Sequence, residues 1–256
     1  MTCDTSSFIT LTYDSKSLPD DSKDPLGRWD HSLHKHHWQN FAKKVRRDVG
    51  PFRYLHCGEY GDEDARPHLH ALVFGQDFRA GAEQVDENLW SSPQLTSCWP
   101  WGFNSVGSVE FDSAAYVAAY TIKKRTKGTE GQLYQRFDPT TGECWEVEPE
   151  YATHSRRPGL GSTFIEKYMS DVYPADHVVV PGKGIFRPPA YYDDKLKEKD
   201  TDLWNYVMQK RRKNVRENLA EYSAERRQVK EAIAKARMKH HSALRQSRRS
   251  GRNFKR

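Results

Sequence analysis

Residues 52–75 restrict the fold of this chain more than any other part of its sequence. "FRYLHCGEYG" and "HLHALVFG" are both rich in apolar and aromatic residues, and the short polar link "GDEDARP" joins them. Such runs, bounded by Gly, Asp and Pro, predict two strands, and a short link between them predicts a β-hairpin. We therefore expect an antiparallel strand pair over these residues.

The second strand of this hairpin begins with His68, Leu69 and His70. Because side chains alternate along a strand, the two histidines share one face, about 7 Å apart, and can bind one metal ion if a third ligand is present. Glu59 lies across the turn and is the candidate third ligand. Alternatively, one histidine caps the strand, the other is half-buried, and Glu59 is a surface acid beside the turn.

The remaining patterns predict an α+β fold. "FITLTYD" (Phe8–Asp14) and "SVGSVEF" (Ser105–Phe111) indicate further strands, and a helix is expected from Asp30. Asp112 or Ser113 is a candidate N-cap for a second helix, whereas residues 76–104 are expected to be irregular. The order strand, helix, three strands, helix predicts a central antiparallel sheet with helices packed on it.

The helix after Ser105–Phe111 carries two tyrosines and two lysines on one broad face. At 100° per residue, Tyr116 and Tyr120 are about 40° apart around the helix axis, with Lys123 and Lys124 close to either side. A phenol is a weak nucleophile near neutral pH, and a neighbouring ammonium group favours its phenolate form. The alternative is that both tyrosines are packing residues of an amphipathic helix.

The net charge of +6 is unevenly distributed. Residues 205–256 contain 17 basic and 4 acidic residues, a net charge of +13, whereas residues 1–204 contain 24 and 31, a net charge of −7. We therefore divide the chain into a domain over residues 1–196 and a basic, mostly helical tail over 197–256, whose last fifty residues are expected to form one long helix. Such a tail is typical of nucleic-acid binding, although a solvated helix is the simpler alternative.

Several classes of protein are excluded by features that the sequence lacks. No apolar run could span a bilayer, the N-terminus has no signal-peptide core, and no Gly-rich GK[ST] loop indicates a nucleoside triphosphate site. The four cysteines show no paired spacing, which disfavours both disulfides and a structural zinc site and indicates a reducing cytoplasm: they are Cys3, Cys57, Cys98 and Cys144.

Taken in order, these motifs resemble the HUH endonucleases. "FITLTYD", "CGEYG", "RPHLHALVFG" and "SAAYVAAYTIKK" together resemble the replication initiators of Microviridae, the small single-stranded DNA bacteriophages, and most closely their gokushovirus-like branch. "RRPGLG", "EKYMSDVYP" and "GIFRPPAYYDDKL" extend the resemblance over most of residues 8–196. It implies an HUH/RRM-like core and rolling-circle initiation, in which a tyrosine nicks single-stranded or melted origin DNA, retains a 5′-phosphotyrosine and later rejoins the strand.

The resemblance also implies roles for individual residues. His68, His70 and Glu59 correspond to ligands of Mg²⁺ or Mn²⁺. Tyr116 and Tyr120 correspond to nucleophiles, and Lys123 to a group that stabilises phenolate or phosphate. The candidate DNA contacts are Lys124, Arg125, Arg156 and Arg157. Host helicase and polymerase are the implied partners, in the cytoplasm of a bacterial host.

A different class of function also fits the sequence. A non-catalytic protein could hold single-stranded nucleic acid with the same sheet and basic tail, its tyrosines serving only as packing residues. Only an enzyme forms a tyrosine-linked DNA adduct that requires both a metal ion and a phenol.

Overall fold

The computed structural model describes residues 5–17, 32–61, 66–123, 134–137, 142, 144–233 and 235–236. Lys124, Arg125 and the last 20 residues of the tail, 237–256, lie outside this part of the chain. The described residues form two compact units that divide between Phe164 and Ile165. The boundary after residue 196, drawn from composition and motifs, stays a prediction.

A seven-stranded sheet organises the first unit, in the order β4-β5-β6-β1-β3-β2-β9. All its pairings between described residues are antiparallel. Its strands are β1 (Ser6–Thr12), β2 (Arg53–Tyr60), β3 (Pro67–Phe74), β4 (Glu83–Asp86), β5 (Leu89–Ser91), β6 (Asn104–Gly107) and β9 (Tyr151–His154). A separate two-stranded sheet pairs β7 (Gln135–Phe137) with β8 (Cys144–Glu146). The predicted α+β class and the β2–β3 hairpin are therefore confirmed.

Three helices accompany this sheet: α1 (Lys35–Asp48), α2 (Pro93–Cys98) and α3 (Phe111–Lys123). On one face, the inward-pointing residues of α1 recur at helical spacing and join the main core: Trp38, Phe41, Ala42 and Val45. On the other face, Val117 of α3 packs with Cys57 and Leu72. Burial on both faces explains why β3 is apolar along nearly its whole length.

Three local expectations differ from the structure. Residues 76–104 are not irregular throughout, because they contain β4, β5 and α2. These elements span three to six residues each, too few for a periodic pattern to develop. α3 begins at Phe111, where the expected fourth strand still continued, and the Ser113 hydroxyl accepts a hydrogen bond from the Glu110 amide at 2.8 Å. The helix expected from Asp30 begins only at Lys35, so Leu33, although buried, precedes it.

The second unit contains most of α4 (Ser162–Val172), the hairpin β10 (Val178–Val180) with β11 (Gly184–Phe186), α5 (Ala190–Lys199) and α6 (Thr201–Glu217). Arg211 of α6 forms ion pairs with Asp176 and Asp193, at 2.5 and 2.7 Å. The expected C-terminal helix is present, but a 3-10 turn over Leu219–Tyr222 interrupts it before residues 224–233. Among the described residues, no helix is both long and apolar enough to cross a membrane.

Candidate metal centre

The hairpin register brings Glu59 directly opposite His68, because the two residues are Cα partners in the β2–β3 pair. His70 lies two residues farther along β3, on the same face of the sheet. Glu59 and His70 are buried, with 3% and 7% of their surface exposed. The ligand atoms of the three residues lie within 4.8 Å of one another, and no other trio of His, Cys, Asp or Glu in the described ranges meets this criterion. The structure therefore brings together the three residues that the hairpin pattern predicts to be neighbours, in a group that could hold a metal ion.

One oxygen atom of Glu59 is the centre of the cluster. Glu59 Oε1 lies 2.8 Å from His68 Nε2 and 2.7 Å from His70 Nε2. Burial raises the pKa of a carboxyl group, but hydrogen bonds from the two histidines outweigh that effect and hold the pKa of Glu59 well below its usual range. The carboxylate is therefore charged at neutral pH and available to a cation.

The other nitrogen of the His68 ring shows that the cluster is suited to a cation. His68 Nδ1 lies 3.0 Å from the carbonyl oxygen of Arg66, which can only accept a hydrogen bond. Nδ1 therefore carries a proton, so Nε2 donates to Glu59 only when the ring is protonated on both nitrogens, and in a singly protonated ring the Nε2 lone pair faces the carboxylate oxygen. Two acceptors at 2.8 Å require a proton or a metal ion between them. The donor set of two imidazoles and one carboxylate fits a divalent ion with open positions.

Thr10 of β1 fixes the orientation of the second histidine. Its hydroxyl lies 2.8 Å from His70 Nδ1, and the ring of Phe8 stacks on the His70 ring with centroids 5.6 Å apart. Neither contact of His70 was predicted from the sequence. The alternation in "FITLTYD" puts Phe8 and Thr10 on one face, but nothing in it shows that β1 pairs with β3.

Tyr116 reaches this cluster from α3. Its hydroxyl donates a hydrogen bond to Glu59 Oε1, and its ring meets the His70 ring edge-on, with centroids 5.2 Å apart. The half-buried phenol therefore contacts two of the three candidate ligands. It belongs to the site rather than only to the core.

For the other predicted site residues the structure gives their positions in the fold. Tyr120 follows Tyr116 by one turn of α3, and Lys123 is the last residue of that helix. Arg156 and Arg157 are exposed in the turn between β9 and α4. His56 lies three residues before Glu59 on β2, so it points to the opposite face of the sheet, where it stacks on Trp38 of α1 with ring centroids 4.0 Å apart.

The histidine-dense run before and within α1 is a separate cluster. The rings of His34, His36 and His37 lie 4.4–5.3 Å apart, measured between centroids. Tyr13 Oη lies 2.8 Å from His37 Nδ1, and Trp101 stacks on the same ring. Burial, followed by the charges of its two histidine neighbours, lowers the pKa of His37 to about 4. These contacts join His37 to aromatic side chains of the folded domain.

The known proteins that this chain resembles are replication-associated proteins of phages. The model of the replication-associated protein family of the ORF2/gene-2-protein type matches residues 6–125. "Replication-associated protein VP4" of Bdellovibrio phage phiMH2K is 30% identical over 209 residues, which cover 77% of this chain and 59% of that protein. "Replication-associated protein ORF2" of Spiroplasma virus 4 is 27% identical, covering 83% of this chain and 65% of that protein.

A third relative is "Replication-associated protein ORF4" of Chlamydia phage 1, which is 28% identical over 78% of this chain and 49% of its own length. The matched region thus spans between about half and two thirds of these three relatives. No solved structure matches the chain. The match over residues 6–125 contains Glu59, His68, His70 and Tyr116. Over these residues the chain is similar to this replication-associated protein family, and the three relatives come from Microviridae phages.

Proposed function

We propose that this chain is a phage rolling-circle replication initiator, a metal-dependent HUH-type endonuclease that nicks single-stranded or melted origin DNA. The observation that supports this most strongly is the hydrogen bond from the Tyr116 hydroxyl to Glu59, between His68 and His70. A phenol placed beside side chains that can bind a divalent cation is an arrangement suited to phosphodiester cleavage. The names of the relatives, all replication-associated proteins, support the same role.

The proposed reaction is a transesterification. The Tyr116 oxygen forms a bond to the scissile phosphorus as the bond from phosphorus to the preceding 3′ oxygen breaks. The hydrogen bond to Glu59 orients the phenol, the phenolic proton passes to water, and the 3′ oxygen takes up a proton from water. The products are a 5′-phosphotyrosine and a free 3′-OH for a polymerase. One ester replaces another, so the reaction needs no nucleoside triphosphate.

Glu59, His68 and His70 would hold the metal ion, Mg²⁺ or Mn²⁺, which when bound neutralises charge on the phosphate. Tyr120 acts as the second nucleophile, which cuts the new junction after a round of synthesis and passes the ends for joining. Lys123 stabilises the phenolate or the phosphate. The DNA backbone is held by Lys124, Arg125, Arg156 and Arg157.

The cellular setting follows from this activity. The free 3′-OH requires a polymerase, and continued strand displacement requires a helicase, both supplied by the bacterial host. The proposed place of action is the host cytoplasm, and the basic tail adds attraction to DNA or to one of these partners.

The test is a search for the covalent intermediate. Labelled single-stranded oligonucleotides that tile the genome encoding this chain are incubated with the full-length protein, in Mn²⁺ or in EDTA. Wild type is compared with Tyr116→Phe, Tyr120→Phe and the double variant on a denaturing protein gel, with Tyr206→Phe, an exposed tyrosine of α6, as the control.

We expect one tile to give a slower-migrating band in Mn²⁺ that disappears in EDTA and in the double variant. The single variants then show which phenol acts first. If no tile forms an adduct although the protein binds DNA and Mn²⁺, the enzyme proposal is wrong and the chain is a non-catalytic single-strand binder.

A further inference from the structure

An exposed phenylalanine continues the row of side chains that forms the metal centre. In the sheet register, Glu59 pairs with His68 and His68 with Thr12. Thr12 in turn exchanges two backbone hydrogen bonds with Phe103, at 2.9 and 3.0 Å. Directly paired residues of antiparallel strands project to the same face. Phe103 therefore stands on the face that carries the cluster, two strands or roughly 10 Å from His68.

The exposure of Phe103 is not explained by packing within the described part of the chain. Its surface is 70% exposed, whereas Val106 of the neighbouring strand β6, which points to the other face of the sheet, is fully buried. The apolar cluster beneath α3 includes Phe8, Leu55 and Leu72, which pair in a row separated from the row of Phe103 by the row of Thr10 and His70. Single exposed apolar residues are common on proteins, so exposure alone indicates nothing. The informative fact is the position of this ring, in line with the candidate site.

The backbone holds Phe103 rigidly in this position. Besides its two hydrogen bonds to Thr12, it follows Gly102, whose φ is +155°. A Cβ atom at Gly102 would lie 2.4 Å from the Thr12 carbonyl oxygen and the Asp14 nitrogen. The chain passes so close to β1 that the following residue has little freedom to move. A ring presented by a rigid backbone loses little conformational entropy when a ligand stacks on it.

We infer that Phe103 is a stacking platform for an unpaired base of the bound single strand, next to the nucleotide whose phosphate lies at Glu59, His68 and His70. This inference rests on the proposed function, in which the scissile phosphate lies at Glu59 and His68, at the other end of the row from Phe103. Base stacking on an aromatic ring is favourable for every base and requires a strand without a pairing partner. Phe103 thus favours single-stranded over duplex DNA at the site.

The test compares a strand with bases and one without. Binding of two labelled oligomers of about 20 nucleotides, an oligothymidylate and an abasic strand of equal length, is measured by fluorescence anisotropy in EDTA. Full-length wild type is compared with Phe103→Ala, Phe103→Leu and Phe103→Trp. The control is Phe186→Ala, which removes an exposed phenylalanine of β11. Thermal melting of each variant establishes that it is folded.

We expect Phe103→Ala to weaken oligothymidylate binding by about 5- to 100-fold. Phe103→Leu should weaken it nearly as much, whereas Phe103→Trp and Phe186→Ala should bind like wild type. On the abasic strand the effect of Phe103→Ala should vanish, because no base remains to stack.

Equal weakening on both strands, or no weakening on either, overturns the stacking role. The proposed function fails separately, if no genomic tile forms an adduct while oligothymidylate still binds. Failure of the wild type to bind oligothymidylate also overturns the stacking role, because stacking on Phe103 is proposed for every base, whereas the proposed function is judged by the adduct alone.

Discussion

At the scale of single residues, the candidate site depends on which nitrogen of each histidine faces Glu59. The Arg66 carbonyl requires a proton on His68 Nδ1, and the hydroxyl of Thr10 meets Nδ1 of His70. Both rings thus present Nε2 to the carboxylate. Hydrogen bonds to the outer nitrogen of a metal-binding histidine orient the ring and raise its basicity.

The role of Thr10 can be tested by Thr10→Val, which keeps the shape of the side chain and removes its hydroxyl. We expect the dissociation constant for Mn²⁺, measured by isothermal titration calorimetry, to rise about 10-fold or more. Thr12→Val is the matched control, because the Thr12 hydroxyl bonds to the Phe103 carbonyl and not to a histidine. An unchanged affinity for Mn²⁺ in Thr10→Val would contradict this role.

His37 should make stability depend on pH. Its pKa is lowered to about 4, so between about pH 6.5 and pH 4 the unfolded chain binds a proton that the folded chain does not. The free energy of unfolding therefore falls as the pH is lowered through this range. Allowing for the partial exposure of the ring, we expect a loss of about 1–2 kcal/mol.

The measurement is urea unfolding at several pH values. His37→Gln retains an acceptor for the Tyr13 hydroxyl but cannot be protonated, so its stability should fall less between pH 6.5 and pH 4. His154→Gln, at an exposed residue, is the control and should follow the wild type. Identical pH profiles for His37→Gln and wild type would refute the assignment.

At the scale of elements, the end of β1 and the segment before β6 approach each other at Gly102. Its positive φ and the 2.4 Å separations facing an added Cβ leave no room for a side chain without movement of the backbone. The same close approach orients Phe103, so a change there alters both the stability of the sheet and the candidate stacking platform.

Gly102→Ala should lower the free energy of unfolding by about 2–3 kcal/mol, because the backbone must shift away from β1. Gly81→Ala is the control. Gly81 also has a positive φ, +69°, but an added Cβ there meets no atom within 4 Å, so only about 1 kcal/mol should be lost. Urea unfolding followed by tryptophan fluorescence measures both. Equal losses would show that the close approach to β1 does not matter.

At the scale of the whole molecule, the basic residues that could attract DNA and the residues of the candidate site lie in different parts of the chain. Much of the positive charge lies after residue 204, whereas the candidate ligands lie in the net acidic part of the chain. Within α6, four basic residues are exposed or half-exposed: Lys210, Arg212, Lys213 and Arg216. Contacts between such residues and phosphates release counterions and make affinity dependent on salt.

Replacing these four residues with Gln should flatten the plot of log affinity for oligothymidylate against log salt concentration. The slope should change by up to about 3, at roughly 0.7 for each lost phosphate contact. A variant carrying Asn205→Ala and Gln209→Ala, two exposed uncharged residues of the same helix, should keep the wild-type slope. If the four-residue variant also keeps that slope, α6 does not contact DNA.

The sequence alone determined the features that depend on neighbours along the chain. The strand alternation and the short link predicted both the hairpin and the shared face of His68 and His70. The same register brought Glu59 opposite His68, as expected. These predictions succeed because the period of a strand and the length of a turn are local properties.

Only the tertiary structure decided which distant elements meet at that site. Tyr116 is 57 residues from Glu59 in sequence, and Thr10 is 60 residues from His70. The row from Glu59 to Phe103 exists because β1 lies between β3 and β6, an order that no local pattern specifies. Sheet order is set by the burial of both faces under α1 and α3, a property of the whole chain.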